Sequence, residues 1–333
     1  NHIPVIGPSK QGALLEGSKD FANQFMKTYN IPTADFQTFT LETLDEAYRY
    51  LDKTNPPYVL KSDGLAGGKG VIITEEADEA KQQLQDLLEG KFGEASKKVV
   101  IEQFLDGKEL SVFVLTDGKN YKILPNAKDY KRIGENDTGL NTGGMGAVSP
   151  VPYGDNKMMK KIEEKIIQPT INGLAEENID YKGFLYFGLI KVGEEPYVIE
   201  YNVRMGDPET QAVIPRIKSD LLSLLASIPE KRLDKENIEI DPSVAGCVVL
   251  ASEGYPGKYE KGKKIQIGPV ENAEVFHAGT AFDNESLITS GGRVLSVVSK
   301  GNSYEEVFRA IYKHTEKINF EGKYYRKDIG FDL

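Results

Sequence analysis

Apolar residues recur along this chain at two spacings, every three to four residues or every second residue, and the switches between them outline its elements. Ser18 caps a predicted helix from Lys19 to about Tyr29, which Ile31-Pro32-Thr33 breaks before a strand at Phe36 to Phe39. Thr43 to Lys53 carries a second helical pattern. Tyr58 to Lys61 and Val71 to Thr74 are short apolar runs that predict strands, and a helix follows from about Glu76 to Leu88, stopping near Gly90. Val99 to Glu102 and Leu110 to Leu115 read as strands, the second passing through the turn Thr116-Asp117-Gly118-Lys119 into Tyr121 to Leu124. From Met158, the residues Ile162, Ile166, Ile171 and Leu174 fall at helical spacing, and Pro169 should kink or split that helix. Phe184 to Lys191 and Tyr197 to Val203 predict strands, and Leu221 to Ser227 a helix. The polar stretch from Pro229 to Pro242 reads as a domain boundary, after which short strands dominate until a final helix near Tyr304 to Lys317.

The two strands at Tyr58 and Val71 enclose Ser62-Asp63-Gly64-Leu65-Ala66-Gly67-Gly68-Lys69-Gly70. A glycine run between two strands is not a Walker A loop, because Lys69 is followed by Gly70 and the position five before Gly68 is Asp63. The dinucleotide spacing fails as well, since Ile73 stands where a third glycine is needed. A flexible hairpin remains, whose bare N–H groups suit a polyphosphate, with Lys61 and Lys69 adding positive charge. A plain surface hairpin is the alternative.

Composition narrows the setting. A chain of 333 residues allows two or three domains. Its formal charge of −10 and pI near 5.1 argue against nonspecific nucleic-acid binding, so an anionic ligand has to be met by a local basic cluster. Cys247, the single cysteine, lies in an apolar run and reads as a buried thiol. No apolar run reaches membrane-spanning length, and Asn1-His2-Ile3-Pro4 lacks the features of a signal segment, so a soluble cytoplasmic protein with no membrane partner is expected.

Three other stretches carry candidate chemistry. In Tyr197-Val198-Ile199-Glu200-Tyr201-Asn202-Val203-Arg204, alternation puts Glu200, Asn202 and Arg204 on one face and Tyr197, Ile199, Tyr201 and Val203 on the other. An acid and an amide are the hard oxygen donors Mg²⁺ accepts, and an adjacent guanidinium suits a phosphoryl group or a carboxylate. A solvated strand face is the alternative, but the polar face runs into Met205-Gly206-Asp207-Pro208-Glu209-Thr210 with two more carboxylates. Asn141-Thr142-Gly143-Gly144-Met145-Gly146 is a second glycine-rich loop, preceded by Lys128-Asp129-Tyr130-Lys131-Arg132. Glu102-Gln103-Phe104-Leu105-Asp106-Gly107-Lys108-Glu109 joins two strands. Such a connector presents backbone groups to an adenine edge, with a carboxylate seven residues on for a ribose, or it is a simple corner.

The order of these parts resembles the ATP-grasp ligases, through Gly17-Ser18-Lys19, Lys61 before the glycine run, the connector Glu102 to Glu109, and the strand ending in Glu200-Tyr201-Asn202. The glycine run, Asp129-Tyr130-Lys131-Arg132, Asn141 to Gly146 and Glu200 to Gln211 look more narrowly like the glycinamide ribonucleotide synthetase family, over essentially the whole chain. The resemblance implies an α+β architecture, an ATP-grasp fold of two α/β subdomains clasping ATP, followed by a small β-rich C-terminal domain. Residues 1–18 would be the remnant of an N-terminal domain and linker, 19–230 the ATP-grasp domain with its lid subdomain at about 32–98, and 240–333 the C-terminal domain. The implied reaction joins glycine to phosphoribosylamine with ATP as co-substrate, in purine biosynthesis. Lys19 and Lys61 would contact phosphates, Gly64, Gly67, Gly68, Lys69 and Gly70 would cover them, and Glu102, Phe104, Leu105 and Glu109 would hold adenosine. Glu200 and Asn202 would bind Mg²⁺ or Mn²⁺. Asp129, Asn141, Thr142, Gly143, Gly144, Arg204, Asp207, Pro208 and Glu209 would surround the two acceptor substrates, with Lys61, Asp129, Lys131 and Arg204 as the catalytic set.

Three departures accompany the resemblance. The family's N-terminal Rossmann-like domain is absent from this sequence, so a truncated chain or natural fragment is expected, with that domain as its partner. Tyr130 replaces the family's usual histidine. The strand preceding Glu200 is apolar where many ATP-grasp enzymes carry a second metal carboxylate. Another ATP-grasp carboxylate–amine ligase and a non-catalytic ATP-binding module are the competing readings.

Overall fold

The computed structural model describes residues 3–67 and 70–333. Three antiparallel sheets organise it. The first has the strand order Phe36–Thr40, Lys98–Gln103, Tyr58–Ser62, Val71–Thr74, so the last two form the expected hairpin with Lys61 opposite Val71. The helices Leu44–Leu51 and Ala77–Leu88 cover it, because their apolar stripes (Ala47, Leu51, Leu84, Leu87) meet Phe39 and Leu60 in a core of their own. The second sheet runs Glu195–Asn202, Gly183–Val192, Lys108–Thr116, Tyr121–Ile123. Its two central strands are almost entirely buried, which explains their unbroken apolar sequence.

The third sheet joins the middle of the chain to its C-terminal part. Its order is Glu274–His277, Arg293–Gly301, Val244–Ser252, Gly146–Ser149, Lys128–Asp129, with Lys323–Tyr324 also pairing Val244–Ser252. The β-rich C-terminal part therefore continues a sheet begun by the segments around Asp129 and Asn141. Cys247 lies on its central strand and is buried, which pushes its thiol up to about 12. The segment from Pro229 to Pro242 is pinned back on the protein: Lys218 N donates to Glu239 O and Asp241 N to Arg216 O. No helix among the described residues is long and apolar enough to cross a membrane.

Two local predictions need correction. The helix from Met158 is not split at Pro169. It runs through Asn156–Ile162, Glu163–Ile167 and Gln168–Glu176, and the middle piece widens to a π turn just before the proline. A π turn shifts the hydrogen-bond ladder by one residue, so the missing proline N–H leaves no gap that breaks the helix. The strand carrying Glu200 does not alternate throughout. A β-bulge opposite Gly188 and Leu189 places Ile199 out of register, with Gly188 opposite Glu200 and Leu189 opposite Val198. Val198 and Tyr201 are then the buried core residues, and Ile199 joins Glu200 on the cavity side.

Candidate active site

The first sheet brings one lysine and one carboxylate together in its interior. Lys61 Nζ lies 2.6 Å from Glu102 Oε2, with side chains only 7% and 6% exposed. Lys61 also donates to the carbonyl of Ile199 at 3.2 Å, the residue released by the bulge. The other oxygen of Glu102 accepts from Asn23 Nδ2 at 3.0 Å. Glu102 thus anchors Lys61, and in the connector that follows it Phe104 is exposed and Leu105 half-buried. Lys19 sits close to Lys61, Glu102 and Glu200. Burial pushes its ammonium below the ordinary lysine value, as does Lys61, and the carboxylates of Glu200, Asp63 and Glu102 oppose this.

The hairpin loop is fastened at its base. Asp63 Oδ1 accepts from Ser18 Oγ at 2.8 Å and from Asp20 N at 2.9 Å, which joins the loop to the start of the helix Lys19–Thr28. Gly64 is required because a Cβ there would stand 2.8 Å from Ala95 Cα, and Gly67 takes a left-handed φ of 58°. Gly70 closes the hairpin by accepting from Ser62 N at 2.8 Å. Gly68 and Lys69 lie outside the described residues.

On the second sheet, Glu200, Asn202 and Arg204 do share one side. Asn202 Nδ2 is 3.5 Å from Glu200 Oε1, and Arg204 Nη2 donates to Asn202 Oδ1 at 3.1 Å. Arg204 also pairs with Glu16 at 3.3 Å, whose other oxygen accepts from Val203 N at 2.9 Å. Asn202 thus turns its amide nitrogen toward Glu200 and its oxygen toward Arg204. With the amide turned over, the acid and the amide oxygen would suit one hard divalent cation, and no cluster of three or more metal-ligating acids, histidines or cysteines exists among the described residues. Two protein oxygens fit an ion that shares its shell with phosphate and water. Gly188 stands beside Glu200 on the neighbouring strand, where a Cβ would be 3.0 Å from Glu200 Cγ, so a larger residue there would press on the Glu200 side chain.

Beyond Glu200 the residues of the Asp129 segment gather. Glu109, Ser111, Asp129, Lys131, Tyr186 and Glu200 border a cavity of about 10 Å³, room for about one water. Lys131 Nζ is 2.7 Å from Glu109 and 3.9 Å from Asp129. Glu109 is therefore turned to Lys131, which holds its carboxyl below the usual value. Burial opposes the charge on Lys131, yet Asp129 and Glu109 overcome it and raise the ammonium well above its ordinary value. Burial raises Asp129, with Glu109 and Glu200 adding to the rise and Lys131 opposing it. Glu209, 4% exposed, accepts from Ser111 Oγ at 3.3 Å, and burial together with Asp129 pushes it up to about 7.

The two specific loops meet. Lys131 O accepts from Thr142 N and Oγ1, both at 2.8 Å, and Tyr130 O accepts from Met145 N, so the Asn141 loop folds back on the Asp129 segment. Gly144, at φ 114°, lets Pro208 approach: a Cβ there would be 2.4 Å from Pro208 Cδ. Asn141 is exposed at the loop's edge, opposite Arg132. Asp207 also borders a groove of about 650 Å³ that includes Gln211, Phe276, His277 and Lys300, within the range of small-molecule sites.

Three contributors were not foreseen from the sequence. Arg293 Nη1 donates to Gly143 O at 2.8 Å and Asp207 O at 2.7 Å, fastening both loops with one guanidinium. Tyr255 OH accepts from Gly143 N at 2.9 Å, and Asn23 orients Glu102. None sits in a recognisable motif. Asn23 is buried on the helix Lys19–Thr28, where a polar side chain requires a partner.

Comparison with known proteins fits this geometry. The family model for the ATP-grasp (A) domain of phosphoribosylglycinamide synthetase matches residues 17–210, and that for its C domain matches 245–332. The chain belongs to the phosphoribosylglycinamide synthetase family. It is 46% identical to a phosphoribosylamine–glycine ligase of Caldanaerobacter subterraneus over 98% of its own length and 78% of the relative's. A ligase of the same name from Haemophilus influenzae is also 46% identical, over 99% of this chain and 77% of that one. The crystal structure of the Thermotoga maritima phosphoribosylamine–glycine ligase superposes with a TM-score of 0.90 at 42% identity, covering 97% of this chain and 81% of that one. A biotin carboxylase domain from Hydrogenobacter thermophilus, at 17% identity and TM-score 0.70, shares the fold alone. Together these establish the ATP-grasp fold expected of the chain, with a C-terminal family domain behind it.

Proposed function

We propose that the chain is an ATP-dependent carbon–nitrogen ligase that joins glycine to 5-phosphoribosylamine, giving glycinamide ribonucleotide, ADP and phosphate in de novo purine biosynthesis. Family membership sets the reaction, and the observation that carries the division of labour is the meeting of the Glu200 strand and the Asp129 segment around one small cavity, with Lys61 bonded to the carbonyl of Ile199 at its border.

Lys19 and Lys61 hold ATP phosphates, and the glycine hairpin lies over them. Glu200 and Asn202 would hold Mg²⁺ or Mn²⁺, which would supply charge neutralisation for the phosphoryl oxygens. A glycine carboxylate oxygen attacks the γ-phosphorus, the bond to the bridging oxygen breaks, and ADP departs with its electron pair. The amine nitrogen of phosphoribosylamine then attacks the acyl carbon of glycyl phosphate, phosphate leaves, and the nitrogen gives up a proton. No enzyme nucleophile is needed. Catalysis rests on placing cations where charge develops: Lys61 and Arg204 toward the phosphoryl group, Lys131 toward the acyl phosphate. Asp129, its basicity increased by burial, is suited to receive the amine proton. Thr142, Gly143, Gly144, Asp207 and Pro208 frame the acceptors. The burial of Lys61, Glu102 and Glu209 keeps water from the mixed anhydride.

Phosphate release from Mg-ATP tests the reading, with glycine and phosphoribosylamine omitted in turn. Full release needs both. Release indifferent to glycine, or binding of ATP without any turnover, would return the chain to the competing readings of another ligase or a binding module.

A further inference from the structure

The segment that carries Asp129 and Lys131 has a second face. Alternation sends those two side chains toward the cavity and Lys128 and Tyr130 to the opposite side, where residues 326–333 lie against them. Tyr130 is 1% exposed and donates its hydroxyl to Asp332 Oδ1 at 2.8 Å. Lys128 Nζ pairs with the other oxygen of Asp332 and stands 4.7 Å from the centre of the Tyr130 ring. Arg326 is fully buried and lies 5.4 Å from the same ring. It donates to Asp137 at 2.6 Å, to Asp328 at 2.9 and 2.8 Å, and to the carbonyl of Arg132 at 3.2 Å. Asp328 in turn accepts from Asn136 N at 2.7 Å. Charged groups from the end of the chain thus grip the segment on either side of Lys131.

None of these tail residues borders the cavity. Apolar cover alone would bury the back of a strand, and buried charge pairs carry a desolvation cost that is recovered only in one well-defined geometry. We propose that Arg326 and Asp332 are positioning residues: through Tyr130 and Arg132 they fix the rotation of the 128–132 segment, and with it the places of the Asp129 carboxylate and the Lys131 ammonium. The proposal rests on the function given above, in which Asp129 and Lys131 face the acceptor substrates. It also gives Tyr130 a role as the anchor of the tail.

Tyr130→Phe removes one hydroxyl, Asp332→Asn removes one charge, and Tyr121→Phe, whose hydroxyl bonds Glu163 at 2.8 Å away from the cavity, is the packing control. Steady-state phosphate release, scaled to the folded fraction of each variant, is expected to show KM for glycine and phosphoribosylamine raised roughly tenfold by the first two variants, with KM for ATP within about twofold. The double variant should be no worse than the poorer single one, because both singles act on the shared Tyr130–Asp332 contact and Asp332→Asn already discharges the Lys128 pair. Tyr121→Phe should change none of these constants. Hydrogen exchange over 128–146 supplies a readout independent of turnover, and the tail variants should speed it there and not around the Lys61 strand. Unchanged acceptor constants, an equal rise in KM for ATP, or unchanged exchange at 128–146 would each overturn the proposal. Absence of glycine-dependent release by the unmodified chain would instead overturn the function, with exchange still deciding the role of the tail.

Discussion

The nucleotide side and the acceptor side of this site are held together in different ways. Lys61 and Glu102 lie on adjacent strands of one sheet, above a core that the same sheet builds with its two helices. The acceptor side has no such local support. Asp129 and Lys131 leave a two-residue strand, the Asn141 loop folds back on them, and the Asp207 turn meets that loop at Gly144. What fastens these pieces comes from far along the chain: Arg293, Tyr255, Arg326 and Asp332. A site half built by one sheet and half assembled from distant segments should respond differently to damage on its two sides.

Lys61→Met is expected to have the largest effect and to break the self-supporting side. It leaves Glu102 buried without its counter-charge, so unfolding by denaturant should show a loss of about 3–5 kcal/mol. Turnover should fall roughly a hundredfold or more through loss of the phosphate-facing cation. Arg293→Met should come next and sharpen the contrast. It unties Gly143 from Asp207, and a lost charged donor to two carbonyls should raise KM for the acceptor substrates roughly tenfold while the ATP constant holds. An equal shift in both constants would show that the two sides are not separable.

The last effect is a pH dependence at Glu209, beside the Asp129 segment. Glu209 titrates near 7 in the folded protein against 4.5 as its ordinary value, so the folded state binds its proton more tightly than the unfolded state does. Its burial costs nothing below the lower value, and stability is lost as pH rises from about 4.5 to about 7. Glu209→Gln removes that slope. Its stability relative to the parent should grow with pH through this window and level off above it, as read by thermal unfolding at a series of pH values. A difference that stays flat would place an ordinary carboxylate at Glu209.

Much of the nucleotide side was legible in the sequence because each part is contiguous. The hairpin strands around the glycine run, the helix from Ala77 and the Glu200 strand all stand where apolar spacing put them. The bulge at Ile199 was not legible, because an extra residue in one strand is visible only against its partner. Pro169 misled for a similar reason, since a π turn restores the ladder that proline would interrupt. On the acceptor side the motifs were legible and their supports were not. Arg293 lies in an ordinary-looking strand, and nothing local to Arg326 or Asp332 announces that Tyr130 lies across from them. Pairings across such separations are set by sheet topology, which residue patterning does not carry.

The most direct test of the proposed chemistry follows an oxygen atom. Glycine labelled with heavy oxygen in its carboxylate, incubated with Mg-ATP and phosphoribosylamine, should deliver one labelled oxygen to the released phosphate, read by mass spectrometry. That transfer is required if the carboxylate attacks the γ-phosphorus and phosphate later leaves the acyl carbon. Phosphate released without label would mean that water attacks ATP, and it would contradict a site in which the two sides work on one acyl phosphate.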